Sequence, residues 1–102
     1  IIRVGGENVA CSEIEETLLR HPSVKQAGAF PLPDPRLDEV AAVAVVLRPG
    51  HEADAEAILG FARERLASFK IPRAVYFVNE LPLTESGKLQ RHLLKDWVGG
   101  TK

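Results

Sequence analysis

Val40-Ala41-Ala42-Val43-Ala44-Val45-Val46-Leu47 contains no polar side chain. Successive side chains of a strand point to opposite faces, so a strand of this composition is stable only where both faces are covered. The run lies between a Pro31/Pro33/Pro35 loop and an Arg48-Pro49-Gly50 turn, which holds it at strand length and far below a membrane span. The rest of the chain must therefore supply layers for both sides of a central strand.

The flanking segments read as those layers. Ile1-Ile2-Arg3-Val4 is β-prone, and Gly5-Gly6 breaks it into a turn. Ser12 and Glu15 have capping-box spacing; a helix is expected from there to about Arg20, burying Ile14 and Leu18 and ended by His21-Pro22. Glu13, Glu15 and Glu16 read as its solvated face. Val24 to Leu32 is expected to be a strand that closes in the proline loop. Asp54 is a plausible cap for a helix carrying Ala55, Ile58, Leu59, Ala62 and Leu66 at helical spacing. Val75-Tyr76-Phe77-Val78 supplies another strand, and a last helix carries Leu89, Leu93, Leu94 and Trp97. The expected order, β-turn-α-β-β-α-β-loop-α, is an α+β class: a compact domain with a small mixed sheet packed by about three helices.

A chain of 102 residues fits a single domain. Thirteen Lys and Arg against 14 Asp and Glu leave no bulk field for nucleic acid or an anionic membrane. Any anion binding must come from local placement. The single cysteine, Cys11, forms no intrachain disulfide and fits a reducing compartment, hence an expected cytoplasmic location without a membrane span. His21, His51 and His92 have no ligand spacing with Cys11, so no metal site is expected, and there is no Ser/His/Asp set. With no methionine and a start at Ile1, the chain is expected to be part of a longer product whose missing part is N-terminal; Val98-Gly99-Gly100-Thr101-Lys102 reads as a frayed end.

The chemistry-bearing stretch is Leu81-Pro82-Leu83-Thr84-Glu85-Ser86-Gly87-Lys88-Leu89-Gln90-Arg91. It places a lysine behind a glycine on a loop rich in turn formers, where the charge on a flexible stem can reach an anion held by another surface. Two further segments accompany it. Ile2-Arg3-Val4-Gly5-Gly6-Glu7-Asn8-Val9 leads into Ser12-Glu13-Ile14-Glu15, and Leu66-Ala67-Ser68-Phe69-Lys70-Ile71-Pro72-Arg73 leads into Tyr76-Phe77-Val78. Between them lie His21-Pro22-x-Val24 and Pro33-Asp34-x-Arg36. In order and spacing this set resembles the C-terminal lid domain of the adenylate-forming superfamily, over Ile1 to about Lys95. The Gly-Gly-Glu-Asn form is most similar to fatty-acid and aryl-acid CoA ligases.

The resemblance implies an ATP-dependent, AMP-forming acyl-CoA synthetase in which a carboxylic acid, expected to be fatty, becomes an acyl-adenylate and then a CoA thioester. It implies that residues 1–102 are one mobile lid over a large N-terminal domain, outside this chain, that binds ATP, most of the Mg2+ and the acid. Lys88 matches the adenylation lysine. Gly5, Gly6 and Glu7 match the turn that enters the active site for thioester formation, and Phe69, Lys70 and Arg73 match a loop that meets the nucleotide end of CoA. Arg36 and Leu37 lie on a loop that borders the same site, and Arg91 supports the lysine loop or the domain interface. The isolated lid is expected to be inactive. Two alternatives stay open: the lid of an enzyme that loads an amino or aryl acid onto a carrier protein, and a binding module that kept the fold without the chemistry.

Overall fold

In the computed structural model, β4 (Asp38–Leu47) is the central strand that the apolar run requires. Residues 1–99 are described; residues 100–102, the end of the tail expected to fray, lie outside the described residues. The order is β1 (Ile2–Val4), β2 (Glu7–Val9), α1 (Cys11–Leu18), β3 (Val24–Asp34), β4, α2 (Ala55–Arg63), β5 (Ala74–Phe77) and α3 (Leu94–Gly99), with 3-10 turns at Ser68–Lys70 and Arg91–Leu93. The strands form a mixed sheet in the order β2-β1-β4-β3. Strand β4 pairs antiparallel with β3 and, at Val4↔Asp38, with β1, while β5 pairs parallel to it from Ala42↔Ala74 to Val45↔Phe77.

Alternation along β4 divides the core in two. Ala41, Val43 and Val45 pack with Ile14 and Leu18 of α1 and Ile58 and Ala62 of α2. Ala42, Ala44 and Val46 pack with Phe30 of β3, Val78, and Leu94 and Val98 of α3. Each side of the strand thus has its own helical layer, which is why the run carries no polar position. Asp54 caps α2 as expected, its Oδ1 accepting from the Ala57 amide at 2.8 Å.

Several local expectations need correction. Strand β3 does not close at the prolines but runs through Pro31 and Pro33 to Asp34, leaving only Pro35 in the turn. The amide and carbonyl of Ala29 both point to the outer edge of β3, where side chains take them. Pro31 and Pro33 share that parity, so their missing N–H groups fall on the edge, where no neighbouring strand needs them. The first strand is one arm of a β1–β2 hairpin, with Ile2↔Val9 to Val4↔Glu7 paired across Gly5-Gly6. Helix α1 starts at Cys11 with no side-chain cap and ends at Leu18, not near Arg20. The capping box does not form: Ala10 takes the cap position, Ser12 lies inside the helix, and Glu15 is bonded to Arg91. The last helix is also shorter: Leu89 forms a bridge with Leu83 and Leu93 lies in a 3-10 turn, so α3 begins at Leu94.

Candidate functional site

The loop carrying Lys88 is a closed, self-braced turn. Leu83 and Leu89 bridge at its base. Above them the Thr84 amide donates to the Lys88 carbonyl at 2.8 Å, and the Gly87 amide to the Thr84 carbonyl at 2.9 Å. The Lys88 amide donates to Thr84 Oγ1 at 3.0 Å. Gly87 adopts φ +88°, a conformation that a side chain would strain. Both backbone groups of Lys88 are therefore spent on Thr84, while its side chain is exposed and makes no ion pair among the described residues. The loop holds the backbone of Lys88 in place and leaves its charge without an ion-pair partner among the described residues.

The foot of the loop is anchored on both sides. The Gln90 amide donates to the Pro82 carbonyl at 2.8 Å. Arg91 Nε donates to the Ala29 carbonyl at 3.0 Å, and its Nη2 donates to both Glu15 carboxylate oxygens, at 3.0 and 2.8 Å. Glu15 Oε2 also accepts from the Ala29 amide at 2.8 Å. Burial works against the Arg91 charge, but the hydrogen bond and charge of Glu15 outweigh it and hold the guanidinium above its ordinary value. Leu89 and Leu94 close over Gly28 of β3, where a methyl group would stand 3.1 Å from each.

The second candidate surface is built round the β1–β2 turn. Gly5 and Gly6 have φ of +56° and +88°, both in the region that a tight two-residue hairpin demands. The Gly5 amide donates to the Leu37 carbonyl at 2.8 Å, and the Arg3 amide to Glu39 Oε1 at 2.9 Å. These contacts seat the turn on the tip of the β3–β4 hairpin. At that tip, Asp34 Oδ1 accepts from the Leu37 and Arg36 amides at 2.8 and 2.9 Å. Those two bonds hold its carboxyl below the ordinary value; slight burial opposes them, and the charges of Arg73 and Arg36 assist. Arg73 stands at the entry to β5, its amide donating to the Ala41 carbonyl at 2.8 Å, on the half of β4 next to the hairpin tip.

Gly5, Arg36 and Leu37 thus come together at the tip, with Gly6 and Glu7 exposed beside them and an exposed Arg73 at the neighbouring start of β5. Phe69 and Lys70 sit on the 3-10 turn nearby in sequence but are engaged within the domain. Phe69 packs against the core of the α1/α2 face, and Lys70 Nζ pairs with Glu13 at 3.0 Å. Glu13 and Glu15 are accordingly not a solvated face. Helix α1 uses the first to hold the Phe69-Lys70 turn and the second to hold the foot of the lysine loop. Sequence reasoning missed both roles; the Ser-x-x-Glu spacing marked Glu15 but suggested a local partner. Among the described residues no group of three or more His, Cys, Asp or Glu side chains could hold a metal ion, and no helix is long and apolar enough to cross a membrane.

Residues 13–88 match the AMP-binding enzyme C-terminal domain family. Oxalate–CoA ligase of Saccharomyces cerevisiae is 40% identical over 96 residues, 94% of this chain and 18% of that protein. 2-Succinylbenzoate–CoA ligase of Geobacillus kaustophilus is 40% identical over 102 residues, 100% of this chain and 21% of its own. The crystal structure of an acyl-CoA synthetase from Brucella canis superposes with a TM-score of 0.89 at 35% identity, covering 100% of this chain and 20% of that one. The chain spans about a fifth of the length of these relatives.

Proposed function

The chain belongs to the AMP-binding enzyme C-terminal domain family of adenylate-forming ligases, and from that membership we propose that it is the mobile lid of an ATP-dependent acid:CoA ligase. The observation that carries the reading is Lys88: an exposed cation, without an ion pair among the described residues, on a loop braced by Thr84. In the first step a substrate carboxylate oxygen bonds to the α-phosphorus of ATP, and pyrophosphate leaves with the electron pair of the broken P–O bond. Lys88 lies between the two anions and stabilises the charge that builds at phosphorus, without giving up its proton. In the second step the CoA sulfur attacks the acyl carbon and AMP leaves. Here Gly5, Gly6 and Glu7 form the turn beside the pantetheine arm, and Phe69, Lys70 and Arg73 form the loop that meets the nucleotide end of CoA.

ATP, Mg2+ and the acid are held mainly by an N-terminal domain of the same enzyme, the lid's principal partner. By itself the lid releases no pyrophosphate. We read the acid as fatty, from the Gly5-Gly6-Glu7-Asn8 string, and the setting as cytoplasmic. Relatives named for oxalate and 2-succinylbenzoate carry this domain at the same identity, so the assay panel spans fatty, aryl and dicarboxylic acids.

The test is Lys88→Ala in the complete ligase, with the two half-reactions measured separately. Pyrophosphate release is expected to fall about a hundredfold or more, while thioester formation from supplied acyl-adenylate stays near that of the parent. Equal loss in both half-reactions, or in neither, overturns the reading.

A further inference from the structure

We propose that Glu15 is a positioning residue for the adenylation half-reaction: by gripping Arg91 it fixes the loop that carries Lys88. The inference rests on the role of Lys88 proposed above. Arg91 follows Lys88 by one helical turn's worth of chain, and its guanidinium is held from two directions, by the Ala29 carbonyl and by both oxygens of Glu15. Glu15 is itself oriented, because Oε2 also accepts the Ala29 amide. Its side chain is only 14% exposed against 39% for Arg91, so the carboxylate is the partly sheltered, immobile half of the pair.

The clamp therefore joins helix α1, the edge of β3 and the downstream foot of the lysine loop. The upstream foot is held separately, by Leu81 buried in the α3-side core, by Trp97 Nε1 donating to the Glu80 carbonyl at 2.8 Å, and by the Gln90–Pro82 bond and Leu83↔Leu89 bridge that join the two feet. Loss of Glu15 removes the acceptor for Arg91 Nη2 and leaves the downstream foot with the single Arg91 Nε–Ala29 carbonyl bond and the packing of Leu89 over Gly28. A lysine that must bridge two anions is sensitive to such a shift, since a displacement of about 1 Å at a reacting centre can cost on the order of a hundredfold in rate. Helix α1 follows the β1–β2 hairpin directly, so the same clamp makes the lysine loop and the Gly5-Gly6 turn parts of one rigid body. Cutting it frees only the lysine loop.

The experiment is a double-mutant cycle in the complete ligase, with Glu15→Gln measured in the parent and in the Lys88→Ala background. Gln keeps the shape of Glu15 but loses its charge and one of its two acceptor oxygens. A carbonyl in the place of Oε2 can still take the Ala29 amide and one Arg91 N–H, while the NH2 group in the place of Oε1 meets Arg91 Nη2 donor to donor. In the parent, Glu15→Gln is expected to lower kcat of adenylation about tenfold or more, with KM for ATP and acid unchanged and thioester formation from acyl-adenylate intact. In the Lys88→Ala background it is expected to lower adenylation no further, because it acts through Lys88. Equal loss in both backgrounds, equal loss of both half-reactions, or no loss overturns the proposal. If Glu15→Gln does not fold, Arg91→Lys takes its place in the same cycle; it keeps the charge and loses the planar fork that reaches the Ala29 carbonyl and Glu15 together. Normal adenylation by Lys88→Ala would instead refute the function proposed for the domain, whereas a slow Lys88→Ala beside a normal Glu15→Gln refutes this inference alone.

Discussion

The amide of Gly5 donates to the carbonyl of Leu37 at 2.8 Å, tying the β1–β2 turn to the tip of the β3–β4 hairpin. Neither loop is an independent flap. Asp34 organises the hairpin tip through the Arg36 and Leu37 amides, Leu37 receives Gly5, and Gly6 is left projecting with nothing within 4 Å of where a side chain would begin. A turn built this way is held at Gly5 and presents Gly6 as its free tip.

The two glycines are expected to respond differently to the same substitution. Alanine at either must adopt positive φ, at a cost of about 1–2 kcal/mol. At Gly5 the new methyl also stands 3.2 Å from Leu37 Cδ2, so Leu37 must shift; at Gly6 it meets open space. Gly5→Ala should therefore unfold at a lower temperature than Gly6→Ala. Gly6→Ala, though better folded, should still slow thioester formation from acyl-adenylate and leave adenylation alone. A Gly6→Ala enzyme with a parental thioester rate would remove the turn from the thiol site.

What the sequence disclosed and what it hid divide along a physical line. The double-faced β4, the Asp54 cap and the tight Gly5-Gly6 turn are local consequences of side-chain size, polarity and backbone freedom, and they were legible. Pro31 and Pro33 looked like strand breakers because only the sheet order shows that their nitrogens face an open edge. Glu15 looked like a cap because its true partner, Arg91, lies 76 positions away. The same limit applied to the candidate site: the residue types of the Gly87-Lys88 loop were readable, but not the α1 carboxylates that hold Lys70 and Arg91.

Asp34 makes the hairpin tip pH-sensitive in a defined direction. Its folded-state pKa is lowered below the ordinary 3.8, chiefly by the Leu37 and Arg36 amides, with burial opposing and Arg73 and Arg36 assisting. A lowered carboxyl contributes stability that is fully present above the unfolded pKa and is lost as pH falls through the folded one. The tip should therefore be intact at neutral pH and loosen only below about pH 4. A carbon-detected NMR titration of the Asp34 carboxyl is expected to give a midpoint under 3.8, shifting upward in Arg73→Ala. A midpoint at or above the ordinary value would mean that the amides do not converge on this oxygen in solution.

Arg73 and Lys70 are both proposed to meet CoA, and their surroundings rank them. Lys70 is already paired with Glu13 at 3.0 Å, with side chains 25% and 44% exposed. Arg73 is exposed, makes no ion pair among the described residues, and lies at the start of β5 on the half of β4 next to the hairpin tip. Arg73 has only its longer-range attraction to Asp34 to give up on binding a phosphate, and its planar fork suits that anion. Arg73→Ala is therefore expected to raise KM for CoA about tenfold, equivalent to about 1.4 kcal/mol of binding, with adenylation unchanged. Lys70→Ala should raise it less and cost no more than about 1 kcal/mol of stability through the lost Glu13 pair. Pantetheine supplies the internal control, because it carries the thiol without the nucleotide phosphates. With pantetheine as acceptor, Arg73→Ala and the parent should be indistinguishable; a defect that persists there would place Arg73 in the folding of the hairpin tip and not in the recognition of CoA.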